Sequence, residues 1–290
     1  MNIAAVKTIA PPHPSPAKPS FVLPPGACDA HCHVFGPAAR FPYAANRRYT
    51  PPDAPAEKLA ALHRHLGISR AVLVQASAHG SDNSAMLDAI SRDPANLRGV
   101  AMVDAAVSDV ELEKLHGGGV RAVRFNFVRH LGGAPDPATV QRMAQRIAPL
   151  GWHLVLHLDA EDLLEHESFL QALELPFVID HMGRVAAGEG LAQPPFKRLL
   201  GLLENGLAWV KVSGADRVST ALGDFTDALP FAAALVAAAP DRVLWGTDWP
   251  HPNVRQMPDD GRLVDLIPGF ARDETLRAKL LVDNPTRLYW

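Results

Sequence analysis

Cysteine is almost missing from this chain: Cys28 and Cys32 are the only two in 290 residues. Four positions apart on a strand, they would stand roughly 13 Å apart at about 3.3 Å per residue, beyond the roughly 7 Å Cα separation a disulfide tolerates. No disulfide staples this fold, and with no second CxxC or HxxxH to complete a knuckle, a structural zinc module is excluded as well. Apolar runs of eighteen residues are absent too. The opening MNIAAVKTIAPPHPSPAKPSFVLPPG lacks the continuous apolar segment of a secretory signal, and its prolines forbid a spanning helix. A cytoplasmic protein with no membrane partner is expected. There is no lysine- and arginine-rich block, and the formal net charge is −3, so a nucleic-acid partner is not expected either. An anion bound by this chain has to be held by a few placed arginines.

What the chain does have is alternation. Short β-branched or apolar runs recur eight times, as CDAHCHVF, RAVLVQAS, RGVAMVD, RAVRFNF, HLVLHLD, PFVIDHMG, AWVKVSG and RVLWGTDW. Between them lie amphipathic segments such as EKLAALHRHLG, NSAMLDAISRD, TVQRMAQRIAPLG and EDLLEHESFLQALE, closed by Gly or Pro or followed by them, which suit helices. Eight such units predict a single-domain (β/α)8 TIM barrel over residues 26–290, preceded by a proline-rich arm over 1–25. A doubly wound open sheet would usually show fewer units and a glycine-rich phosphate turn after its first strand, and neither is present. In a barrel, the C-terminal ends of the strands line one shared pocket.

The run CDAHCHVFG concentrates two histidines and both cysteines. Strand parity puts Asp29, His31 and His33 on one face and Cys28, Ala30, Cys32 and Val34 on the other. With the histidines inside, both cysteines become small apolar fillers beneath the helices. By the same parity His153, Val155, His157 and Asp159 face inward on the fifth strand, His181 ends the sixth and Asp248 the eighth. One such residue could be structural; four strands delivering an imidazole or a carboxylate to one rim point to a reactive site. Asp248 is the inward carboxylate placed to act as a base. Arg124 shares its strand face with Asn126, and with few inward acids nearby an anionic ligand is its expected partner. Arg129, Arg217, His79 and His251 fall on rim loops.

This pattern resembles the amidohydrolase superfamily, whose barrels carry HxH on the first strand, histidines on the fifth and sixth, and Asp on the eighth. More closely, CDAHCHVFGPAARFPY, VLVQASAHGSDN, VRFNF, VIDHMGR, WGTDWPHPN and the ending NPTRLYW resemble 2-pyrone-4,6-dicarboxylate lactonases, from about Pro24 to Trp290. The resemblance implies hydrolysis of a small carboxylated lactone in the breakdown of aromatic compounds. It makes Asp248 the base that activates water and sets His31, His33 and His181 around the lactone carbonyl. Arg124 and Arg217 would hold substrate carboxylates, with Ser77 and Tyr49 nearby, and Arg129 and His251 complete the substrate-binding candidates. Two positions depart from the family: His130, preceded by Arg129, stands where it has an arginine, and His157 where it has a tyrosine.

Ester hydrolysis needs a water, a base and something to stabilise the oxyanion. Two assignments for the oxyanion stay open. The imidazoles act directly as donors without metal, or one divalent ion, Zn²⁺ or Mn²⁺, is held by His31, His33, His157, His181 and Asp248. No lysine on the fourth strand is available to bridge two ions. A sulfomuconolactone-type or sugar-acid lactonase and a metal-dependent decarboxylase on the same barrel are the alternative activities; a non-catalytic anion-binding barrel is disfavoured by the Asp248 and histidine set.

Overall fold

In the computed structural model, which describes residues 6–221 and 223–290, the eight runs become eight parallel strands. They are β1 (Cys28–Cys32), β2 (Arg70–Val74), β3 (Leu97–Ala101), β4 (Val120–Asn126), β5 (His153–His157), β6 (Phe177–Ile179), β7 (Ala208–Lys211) and β8 (Val243–Leu244). Each pairs with its neighbours in chain order. The ends of the sheet meet through loop backbone: the Ala30 N–H donates to the Trp245 carbonyl at 2.8 Å, and the Asp248 N–H to that of His31 at 2.8 Å. Gly246 makes this seam possible, because a Cβ there would stand 2.4 Å from the His31 nitrogen.

Inside, small and branched residues such as Ala30, Val74, Val100, Val155, Val178 and Leu244 fill the barrel, and Tyr289 of the C-terminal helix Asn284–Tyr289 joins this cluster. Outside, the helices turn their apolar stripes to the sheet. Pro137–Ile147 starts where the Asp136 carboxylate accepts from the Ala138 and Thr139 N–H groups, with Pro137 in the first turn. It buries Val140, Met143, Ala144 and Ile147, a three-four spacing in which each large side chain contributes about 1.5–3 kcal/mol of burial. The fifth crossover differs from expectation. EDLLEHESFLQALE forms two short helices, Asp162–Glu165 and Glu167–Gln171, which meet at His166, whose ψ of 19° leaves the helical range.

A second difference lies in β1. Its pairing with β2 shifts register between Asp29 and Cys32, a bulge that breaks strict alternation. Cys28 and Ala30 therefore face the barrel interior, whereas Cys32 packs with the outer core. Asp29 points away from the pocket, accepting from His63 Nε2 at 3.1 Å and from the Thr247 hydroxyl at 2.6 Å. The expected shared face of Asp29, His31 and His33 is thus corrected: parity holds from His31 onward and inverts before it.

The N-terminal segment runs along the barrel. Lys7–Thr8 pairs in parallel with Tyr49–Thr50, and the backbone N–H groups of Ala17 and Phe21 donate to Asp259 and Asp265. No helix among the described residues is long and apolar enough to cross a membrane.

Candidate active site

The C-terminal strand ends converge on Asp248. Its Oδ1 lies 3.2 Å from His33 Nε2, 3.6 Å from His31 Nε2 and 3.7 Å from His181 Nε2. Its Oδ2 takes the Arg217 guanidinium at 2.5 Å. Backbone geometry aims these groups. Asp248 has φ 65° and His181 φ 50°, left-handed conformations that cost a non-glycine residue free energy and recur at functional sites. Because the chain turns at His181 instead of continuing as a strand, Asp180 and His181 both reach the network around His31. Gly214 leaves room for the His181 ring, since a Cβ there would stand 2.8 Å from that of His181.

Charge dominates the electrostatics. Burial pushes the Asp248 carboxyl up, but Arg217, His181, His33 and His31 outweigh it and hold it well below the usual carboxylate range. Burial, and then the Lys211 ammonium, depress His31 to about 3. Burial also takes His157 well below its ordinary value, reinforced by Arg124, and takes His181 well below it against the opposing pull of Asp248. The imidazoles of His31, His157 and His181 are therefore neutral at neutral pH.

A pocket of about 30 Å³ of free space opens above Asp248, room for roughly one water. Its wall includes His33, His157, His181, Arg124, Arg217 and Asp248, together with Tyr49, Ser77, His130 and Leu131. It shares Ser77, Arg124 and Leu131 with a vestibule of about 890 Å³. A ring-sized ligand has to displace lip residues, of which His130 and Leu131 sit on a single 3-10 turn.

Most residues singled out in the sequence thus meet around one cavity, with His31 directly beneath it. Three placements differ. Arg129 is 72% exposed and pairs with Glu165 on the surface. His251 is buried 2.9 Å from Asp260 and outside the pocket wall. Arg124, expected to be free for a ligand, already stands 3.3 Å from Asp180. Asp180 also corrects the reading that Asp248 is the one inward carboxylate.

Three residues escaped the sequence reading. Lys211 ends β7 inside the barrel, fully buried, 2.9 Å from His31 Nδ1 and 3.1 Å from Asp180 Oδ1. Parity in AWVKVSG places it inward with Trp209 and Ser213, a signal available but unused. Asp180 precedes His181 and was hidden by the assumption of alternation. Arg184, in DHMGR, lines the pocket and pairs with Asp159 at 2.9 Å.

Of four groups of side chains with metal-ligand types within reach of one another among the described residues, two lie at the pocket, His31 with His33 and Asp248, and His31 with Asp180 and His181. His157, counted among the ligands of a single ion, belongs to neither. Both groups depend on His31, whose far nitrogen meets the Lys211 ammonium, and the second oxygen of Asp248 is committed to Arg217. Without His31 each group falls to two ligands, fewer than the three of a catalytic zinc site. The donor set does not fit a resident divalent ion, and no step is routed through one.

A family model described as amidohydrolase matches residues 28–290. Over 286 residues the chain is 50% identical to a 2-pyrone-4,6-dicarboxylate hydrolase of Comamonas testosteroni, covering 95% of this chain and 94% of that one. It is 44% identical to a 4-sulfomuconolactone hydrolase of Rhizobium radiobacter, with 93% and 92% coverage. Among solved structures, an apo Agrobacterium tumefaciens protein superposes with a TM-score of 0.84 at 31% identity, over 93% of this chain and 98% of that one.

Proposed function

The chain belongs to the amidohydrolase family, and from that premise we propose that it opens a small carboxylated lactone, a 2-pyrone-4,6-dicarboxylate-like ring, in the breakdown of aromatic compounds. One observation carries the reading: the pocket wall brings together three guanidiniums, Arg124, Arg184 and Arg217, each backed by a carboxylate, Asp180, Asp159 and Asp248, of which only Asp248 lines the wall. Such a wall suits an anion with more than one acidic group, for which arginine offers paired donors.

Water attacks the ring carbonyl while Asp248 accepts its proton. The carbonyl π electrons move to oxygen, where imidazole N–H groups stabilise the charge. Collapse breaks the ring C–O bond, and the proton held by Asp248 passes to the departing oxygen. While Arg217 is paired to it, Asp248 is a poor base. A substrate carboxylate that draws Arg217 toward itself raises the basicity of Asp248, so binding and activation are linked.

A sulfonated muconolactone is a second reading, favoured by His130 and His157 at the two positions where the resemblance calls for arginine and tyrosine. Turnover of 2-pyrone-4,6-dicarboxylate, 4-sulfomuconolactone and an uncharged lactone of similar size separates the cases. The reading expects at least one anionic lactone to exceed the uncharged one in kcat/KM by orders of magnitude. Equal turnover of the uncharged ring would contradict it. Activity should also survive prolonged treatment with a strong chelator; its loss, with recovery on adding Zn²⁺ or Mn²⁺, would return the oxyanion to a metal ion.

A further inference from the structure

Lys211 is the one fully buried lysine among the described residues. Taking an ammonium out of water costs several kcal/mol unless it is well partnered, and its partners here are two site residues. Its Nζ lies 2.9 Å from His31 Nδ1 and 3.1 Å from Asp180 Oδ1. Asp180 is in turn 3.3 Å from Arg124.

We propose that Lys211 is a positioning residue for the reaction: by donating to His31 Nδ1 it fixes the ring proton on Nε2 and makes His31 a hydrogen-bond donor to the developing oxyanion. An ammonium has three N–H donors and no acceptor. Asp180 Oδ1 also lies 3.2 Å from that imidazole nitrogen but makes no hydrogen bond, so toward Lys211 the nitrogen supplies a lone pair, and a neutral ring then carries its proton on the other nitrogen. That nitrogen, His31 Nε2, is buried without a hydrogen-bond partner and turns toward Asp248 Oδ1 at 3.6 Å. An idle donor beside the base is where an oxyanion would be received.

His33, two residues away, is set differently. Its Nδ1 lies 2.7 Å from the Val74 carbonyl oxygen, which only accepts, so Nδ1 carries a proton, and its Nε2 lies 3.2 Å from Asp248 Oδ1. The register shift between Asp29 and Cys32 leaves both rings within reach of Asp248. The two rings of one strand thus differ in what stands behind each Nδ1, an ammonium for His31 and a carbonyl for His33.

The catalytic half of this inference rests on the lactone-hydrolase reading; the tautomer half does not. Long-range proton–nitrogen spectra of the wild-type protein labelled with ¹⁵N-histidine, with His31 identified by the signals lost in His31→Asn, read the tautomer directly. The expected result is a protonated Nε2 and a bare Nδ1 on His31, with Nδ1 protonated on His33. A protonated Nδ1 on His31 would overturn the proposal, whether or not any variant folds. Lys211→Met should move the His31 proton to Nδ1, facing Asp180, and lower kcat on the best lactone on the order of 10²-fold, the scale of one lost oxyanion donor, with KM changed only a few-fold. Lys211→Gln, which keeps an N–H donor on a shorter arm, should recover part of the rate. An unchanged His31 tautomer and unchanged kcat in a folded Lys211→Met would also refute it. If no lactone is turned over by the wild type, the functional reading fails while the spectra still decide the tautomer.

Discussion

Asp248 has two neighbourhoods, imidazoles on Oδ1 and a guanidinium on Oδ2, and replacing it separates them. Asp248→Asn keeps the shape, removes the base and should lower kcat by about 10² or more, measured on the best lactone with folding checked by circular dichroism; retention of a tenth of the activity would remove Asp248 from that role. Arg124→Met should act on binding. It takes one cation from Asp180, which keeps Lys211, and deprives a substrate carboxylate of its partner, so KM should rise on the order of tenfold or more; an unchanged KM would tell against an anion-holding role. At this scale the sequence was informative wherever a motif and a strand end coincided, as at His31, His33, His181 and Asp248. It was silent on pairing. Nothing in a linear reading says that Arg124 meets Asp180 fifty-six positions on, or that His251 turns to Asp260, because those contacts depend on how loops close over the rim.

The eight strands were legible because each is a short apolar run bounded by turns, and the closed barrel followed from their count and order. The faces were less so. Alternation fails at the β1 bulge, where Asp29 leaves the barrel and ties β1 to the loop after β8, accepting from the His31 N–H, the Thr247 N–H and hydroxyl, and His63. One extra residue in a strand has no signature in hydrophobic period, which is why the cysteines were both placed outside. Asp29→Ala leaves these buried donors without an acceptor and should cost about 2–4 kcal/mol of stability, read as a lower urea midpoint. Because His31 sits on the same bulge, turnover should fall as well, although Asp29 touches no substrate; full activity at unchanged stability would show that the bulge is held by other contacts.

Across the whole molecule, burying neutral histidines makes stability depend on pH with a defined sign. His31 and His153 are each depressed from 6.5 to about 3, by burial first and Lys211 second. The unfolded chain binds protons at these rings as pH falls below about 6.5 while the folded one does not, so their contribution is complete above that pH and declines from there toward 3. Asp180 and Asp248, held below 3.8, lose their contribution only at lower pH. The unfolding free energy from urea titrations should therefore fall between about pH 7 and pH 4.5, by roughly 1 kcal/mol per pH unit for each imidazole, and His153→Phe should remove one share of the slope; a flat profile would contradict it. Adding water across a ring ester leaves a solvent oxygen in the product. Turnover of the best lactone in ¹⁸O-labelled water, followed by mass spectrometry of the product and of the gas phase, tests for that addition most directly. One solvent oxygen in the new carboxylate and no carbon dioxide are expected, whereas an unlabelled product or released carbon dioxide would mean isomerisation or decarboxylation instead.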